Sequence, residues 1–203
     1  RGGLVDWRSS VHDITWQLGV CANLRLVAGR SGSLHAACFG LPEEATRLAR
    51  TAAAGWRPTG EETADLTVAT LSAGAASLTA AIRAIAAAAR LTHPEGTICV
   101  MGPVAETPGI VLSRWRQGVP LPPLFREAVA SRDPVLIADA LQTRHLARAL
   151  GERRLVLSCG LPEAVVEDLG FGHASNSAVI ERLAHQAEHV VVLHEADRML
   201  PHN

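Results

Sequence analysis

Ser72, Gly74 and Ser77 lie in the run Ser72-Ala73-Gly74-Ala75-Ala76-Ser77, between an apolar β-branched segment and a long Ala-rich one. Two hydroxyls and a glycine just ahead of a helix can present donors to an anion. The first amides of a helix have no intrahelical acceptor and carry the positive end of its dipole. A plain Ser N-cap would use the same residues, so both roles stay open. Arg83, farther along the Ala-rich segment, can clamp a carboxylate or phosphate bidentately, or stand solvated opposite the apolar stripe. Glu106 follows the next apolar run, on the edge of an α/β sheet where ligand sites form.

The remaining candidates are weaker. His185 and His189 have the i,i+4 spacing that binds a metal on a helix, but they straddle an expected helix end with no third ligand in register, and read as solvated. His93, before Pro94, and His173 read as turn residues. His12 falls in the first turn of a helix and His35 in a strand, neither near a nucleophile. Asp65 starts its strand, away from the ligand edge, and reads as structural. Neither a Gly-x-Ser-x-Gly elbow nor a G-x-G-x-x-G fingerprint is present.

Composition excludes several classes. All 19 basic residues are Arg and none is Lys, against 20 acidic residues, for a formal net charge of −1. A Schiff-base lysine, a Walker-type lysine and a cofactor tethered through a lysine of this chain are therefore ruled out. Aromatics are 3% and no basic patch interleaves with them, which argues against nucleic acid. No stretch approaches 18 uninterrupted apolar residues, so no membrane span is expected. Cys21, Cys38, Cys99 and Cys159 sit in apolar, strand-like runs without a CxxC pair and read as buried reduced thiols of a cytoplasmic protein. The N-terminal Arg-Gly-Gly-Leu lacks a starting Met and a signal-peptide core, and reads as an internal start.

The elements that would position these residues follow from periodicity. Ala64–Leu71 and Thr97–Met101 are short apolar β-branched runs, and between them Leu78, Ile82, Ile85 and Ala89 form one helical stripe. This is a βαβ unit with parallel strands, and its ligand position is the turn at Ser72–Ser77. Upstream, Ser10–Asp13 resembles a capping box opening a helix to about Leu18. Cys21–Ala28 and Ser33–Phe39 form a hairpin about Gly29–Gly32, and Pro42 opens a helix to about Ala53. Gly55–Gly60 is the best boundary. Downstream, helices are expected around Ile110–Arg116 and Leu124–Ala130, from Asp133-Pro134 to Leu150, at Pro162–Leu169 and at Asn176–Ala187. Strands are expected at Leu155–Ser158 and His189–His194, with a loop through Gly170–His173. The alternation predicts an α/β fold, a Rossmann-like, mostly parallel sheet with flanking helices.

The blocks VHDITWQLGVCANLRLVAGRSGSLHAACFGLPEEATRLA, ADLTVATLSAGAASLTAAIRAI, HPEGTICVMGPVAE and RLVLSCGLPEAVVEDLGFGHASNSAVIERL, in this order, resemble the C-terminal half of the lactate racemase family. These are 2-hydroxyacid racemases and epimerases that use the nickel-pincer nucleotide. The resemblance implies that residues 1–54 are the α+β tail of an N-terminal domain and 61–203 a C-terminal α/β domain. It also implies that the paired histidines, the tethering lysine and the nickel-ligating histidine lie upstream, so that the chain docks on its own missing N-terminal domain.

The family's Gln and Lys on the helix after the Asp-containing strand match Ala80 and Arg83, so the cation survives and the amide is lost. Trp115 matches the aromatic after a shortened loop. The candidates are thus Ser72, Gly74, Ser77 and Arg83 toward the cofactor and Arg83, Glu106 and Trp115 toward a small anionic 2-hydroxyacid, with Arg83 and Trp115 matched through the resemblance and the others drawn from their place at the turn and the sheet edge; the resemblance implies no catalytic or metal residue in this chain. The fragment alone is expected to be inactive. The competing expectation is a binding or regulatory relative that kept the fold and lost the chemistry, suggested by Ala80 and the shortened loop. An unrelated nucleotide-binding α/β domain is a third.

Overall fold

The computed structural model describes residues 13–29, 33–56 and 63–199. Ser10 and His12 of the expected capping box, and residues 30–32 of the hairpin connection, lie outside them, as do residues 57–62 of the expected boundary. The chain packs as two compact units, Arg1–Trp56 and Arg57–Asn203.

In the first unit, residues 13–17 are helical. Strands β1 (Asn23–Ala28) and β2 (Leu34–Gly40) pair antiparallel, with Leu24 opposite Phe39, Leu26 opposite Ala37 and Val27 opposite Ala36. Helix α1 (Pro42–Ala52) opens on a proline, whose missing N–H costs nothing in the first turn, with Glu43 and Glu44 at its positive end and Arg50 in its last turn. It covers one face of the hairpin, where Val27 and Ala45 are buried.

The second unit is a five-stranded parallel sheet with helices on both faces, a Rossmann-like arrangement. Its strands are β3 (Ala64–Thr70), β4 (Thr92–Met101), β5 (Arg154–Ser158), β6 (Gly172–His173) and β7 (Val190–Leu193), in the order β6-β5-β4-β3-β7. Its helices are α2 (Leu78–Ala88), α3 (Ile110–Arg116), α4 (Leu121–Ser131), α5 (Pro134–Leu150), α6 (Glu163–Asp168) and α7 (Ser177–Gln186). Alternate strand residues serve opposite faces. Ala69, Ile98, Val100, Leu155, Leu157 and Leu193 pack with α2, α3, α5 and α6, whereas Leu66, Val68 and Cys99 pack with α7. Asp133 caps α5 through the Val135 amide at 2.9 Å, and Asn176 caps α7 through the Val179 amide at 3.3 Å.

Three expectations are corrected. The loop through Gly170–His173 contains strand β6, whose two residues are too few to show a period. β4 starts at Thr92, because residues after it bulge: Ala64 pairs with Thr92 and Leu66 with Thr97. Gly96 permits that bulge, since a Cβ there would come within 2.9 Å of the Asp65 carbonyl. The cysteines do not share one environment. Cys99 is buried, Cys38 and Cys159 are half-buried, and Cys21 is exposed and precedes its strand; all four are free thiols. No helix among the described residues is long and apolar enough to cross a membrane.

One polar contact ties the far edge of the sheet to α3. The Arg116 guanidinium lies 4.5 Å from the Phe171 ring and 5.1 Å from that of Trp115, while its Nε donates to Leu169 O at 2.5 Å and its Nη2 to Gly170 O at 3.2 Å. These carbonyls belong to the C-cap of α6 and the residue after it. Burial lowers the Arg116 pKa from its ordinary value, as expected of a cation held by rings and carbonyls rather than a carboxylate. Arg116→Ala should cost about 2 kcal/mol in urea unfolding, with Arg116→Lys recovering little because an ammonium cannot fork between two carbonyls while stacked. An Arg116→Lys protein as stable as wild type would refute the forked geometry.

Candidate functional site

A doubly wound sheet offers its crevice beyond the carboxyl ends of its strands, where the winding direction reverses. Here the chain steps from β3 out to β6 and returns to place β7 on the other side of β3, so the reversal lies between β3 and β7. Two segments meet there: the turn Leu71–Ser77 after β3 and the hook His194–Met199 after β7.

The hook fills the position. A 3-10 turn, Ala196–Arg198, sits with Ala196 fully buried against α2. Asp197 Oδ1 accepts from the Ser72 amide and its Oδ2 from the Ser72 hydroxyl, both at 2.6 Å. Ser72 is only 5% exposed. Glu195, at φ 51°, holds the left-handed conformation that turns the chain back, its amide donating to Thr70 Oγ1 at 3.3 Å and its carboxylate pairing with Arg198 at 3.3 Å.

A second carboxylate closes the helix end. Glu106 Oε2 accepts from the Leu78 amide, the first of α2, at 2.6 Å, and Ser77 Oγ accepts from the Ala80 amide at 3.2 Å. Gly74 adopts φ 82°, a conformation that favours glycine, and a Cβ there would meet nothing within 4 Å. Its role in the turn is conformational. The donors expected to face an anion are therefore engaged by Asp197, Glu106 and Ser77 of the chain itself. An external anion would have to displace Asp197 from Ser72 and Glu106 from the Leu78 amide.

The other expected site residues are placed differently. Ala80 is buried in the core. Arg83 is exposed on α2 and has no charge partner among the described residues. Thr79 accepts from Gln142 Nε2 of α5 at 2.9 Å. Trp115 is half-buried between two apolar clusters, the wall of a core rather than of a cleft. Below the turn, the apolar space bounded by Leu78, Ala81 and Val100 is about 20 Å³, room for no more than a water molecule.

Elsewhere, a groove of about 480 Å³ opens at the amino-terminal edge of the sheet, lined by Asp65, His93, Glu95 and Arg154 among others. Asp65 Oδ2 accepts from the Glu188 and His189 amides at 3.2 and 3.1 Å, which fixes the turn into β7. This agrees with the structural reading of Asp65. His185 lies in the last turn of α7 and His189 beyond it, and no group of three His, Cys, Asp or Glu among the described residues could hold a metal ion. His173, at the carboxyl end of β6, has a buried Nδ1 with no hydrogen-bond partner, 4.0 Å from Glu163 Oε1. No local signal marks it or Asp197.

These observations bear on the nickel-pincer nucleotide that the family resemblance implies. Glu106 occupies the helix end where a phosphate would sit, Asp197 holds Ser72 in the turn before it, the chain has no lysine, and no metal cluster exists among the described residues. The residues of this chain do not by themselves fit that group.

No protein-family model and no curated protein matches the sequence. Among solved structures, the fold is similar to the lactate racemase apoprotein from Thermoanaerobacterium thermosaccharolyticum, with a TM-score of 0.72 and 15% identity over 91% of this chain and 46% of that one. It is also similar to a Thermotoga maritima protein solved by a structural genomics consortium, with a TM-score of 0.53 and 11% identity over 77% of this chain and 43% of that one. The chain thus spans less than half the length of either neighbour. At these identities the likeness is one of fold.

Proposed function

We propose that this chain is the α/β half of a 2-hydroxyacid racemase- or epimerase-like protein, forming one wall of an interdomain cleft and leaving proton transfer and cofactor retention to other polypeptide. The observation that carries this reading is the likeness of 91% of the chain to under half of a lactate racemase apoprotein. The engaged donors at Ser72 and Leu78 are consistent with a wall that holds no cofactor alone. Arg83, exposed and unpaired among the described residues, is the group available to a substrate carboxylate.

The test is exchange of the α-proton. The 203-residue chain should exchange no α-hydrogen of lactate or related 2-hydroxyacids for deuterium in D₂O, whereas the whole gene product should. Arg83→Ala in the whole product should raise KM about tenfold, roughly 1.4 kcal/mol, through loss of one exposed charge-assisted contact, without changing the unfolding midpoint. Exchange by the 203 residues alone would overturn the wall assignment. The engagement of the turn by Asp197 and Glu106 favours a second reading, a non-catalytic binding or regulatory relative, and absence of exchange by the whole gene product would decide for it.

A further inference from the structure

The two units differ in how they bury apolar surface. Among the described residues of the first unit, Val27 and Ala45 are the buried apolar side chains, against ten large apolar side chains left exposed. In the second unit the proportion is reversed, with thirty-three buried and six large ones exposed. A fold is stabilised chiefly by apolar area removed from water. The first unit lacks that source of stability as it stands.

The exposed set is organised. Leu24 (61% exposed), Leu26 (65%) and Phe39 (71%) lie with Ala37 on one face of the β1–β2 hairpin, because Leu24 pairs with Phe39 and Leu26 with Ala37. The opposite face carries Arg25, Val27, Ala36 and Cys38, and α1 packs on the hairpin with Val27 buried. A two-stranded ribbon with one covered face is marginal in water, and this one has an apolar second face.

We infer that the outward face of the hairpin, centred on Leu24, Leu26 and Phe39, is a docking surface covered by an apolar layer of the same polypeptide, supplied from outside these 203 residues. Size selects the occupant. Two strands of six residues present roughly 20 by 10 Å, about 200 Å², whereas a freely diffusing partner needs about 800 Å² on each side. A covalently linked segment acts at an effective concentration near millimolar and holds so small a face. The lactate racemase apoprotein has more than half its chain beyond the matched part, the scale of polypeptide that such a layer requires. The identity of the occupant rests on the racemase-like reading; the docking face rests on exposure and register.

Hydroxyl-radical footprinting of side chains tests it without an activity readout. In the 203-residue chain, Leu24, Leu26 and Phe39 should oxidise at the rate of exposed residues, independent of protein concentration. In the whole gene product, Phe39 should oxidise at least about tenfold more slowly, as for a position that reacts only on local opening. Leu26→Asp in the whole product should restore fast oxidation of Phe39, yet leave the unfolding midpoint of the 203-residue chain unchanged. Equal oxidation of Phe39 in the two proteins would overturn the inference. So would protection that grows with concentration in the 203-residue chain, which would make a second copy the occupant, or protection that survives Leu26→Asp. Loss of racemase activity with Phe39 still protected would sink the functional reading and leave this one standing.

Discussion

Asp197→Ala should lower the stability of the second unit by about 3 kcal/mol, a fall of roughly 6–12 °C in unfolding midpoint for a domain of this size. The carboxylate accepts from both donors of Ser72 at 2.6 Å, and Ser72 is nearly buried. Hydrogen bonds to a charged acceptor contribute about 1.5–3 kcal/mol each, and the larger part of the loss comes from leaving a buried amide and hydroxyl without a partner. Ser72→Ala removes only the hydroxyl, so it should cost about 1 kcal/mol. The Asp197→Ala/Ser72→Ala pair should then fall short of additivity by a similar amount. Asp197→Asn is the sharper variant. Its amide oxygen can still accept from the backbone, but its NH₂ faces the hydroxyl as a donor, and it should lie between wild type and Asp197→Ala. Urea unfolding followed by circular dichroism measures all four proteins. A change below about 0.5 kcal/mol for Asp197→Ala would mean that water reaches Ser72 and that the hook does not close the winding reversal.

The same pair marks the limit of what the sequence discloses. Signals confined to one element read correctly: Asp133-Pro134 opening a helix that Gly151 ends, the stripe Leu78, Ile82 and Ile85 on α2, and the Gly-rich hairpin whose strands form at Asn23–Ala28 and Leu34–Gly40. Each depends on covalent neighbours or on a period of 2 or 3.6. Asp197 reaches back 125 residues to Ser72 and Glu106 reaches 28 to Leu78, and no periodicity encodes those meetings. The turn at Ser72–Ser77 was legible as a helix start with donors; that the chain carries its own acceptors was not. Glu106 was legible by place, at the carboxyl edge after β4, and the structure adds that its carboxylate accepts from the first amide of α2. Trp115 illustrates the converse. Its match to the family's aromatic comes from the resemblance alone, and the structure adds that α3 holds it half-buried between two apolar clusters.

Alkaline pH should expose the other large term, through Cys99. The residue lies on β4 under α7 with no exposed surface, and burial pushes its thiol from the ordinary 9.0 up to about 12, since the thiolate would have to form away from water. The folded state therefore holds the proton more tightly than the unfolded chain. Its contribution is fully present below pH 9 and is lost as pH rises from 9 toward 12, by about 1.4 kcal/mol per unit, or nearly 3 kcal/mol by pH 11. Composition makes the window clean. The sequence has no Lys and no Tyr, so its cysteines are the side chains with ordinary pKa values between pH 9 and 11. Cys99→Ala should cost about 1 kcal/mol at pH 7 for the small void it leaves, yet flatten the stability of the second unit between pH 9 and 11. Above the crossing near pH 10 the variant should be the more stable protein. Parallel falls in wild type and Cys99→Ala would show that another group carries the alkaline transition, and that water reaches the thiol between β4 and α7.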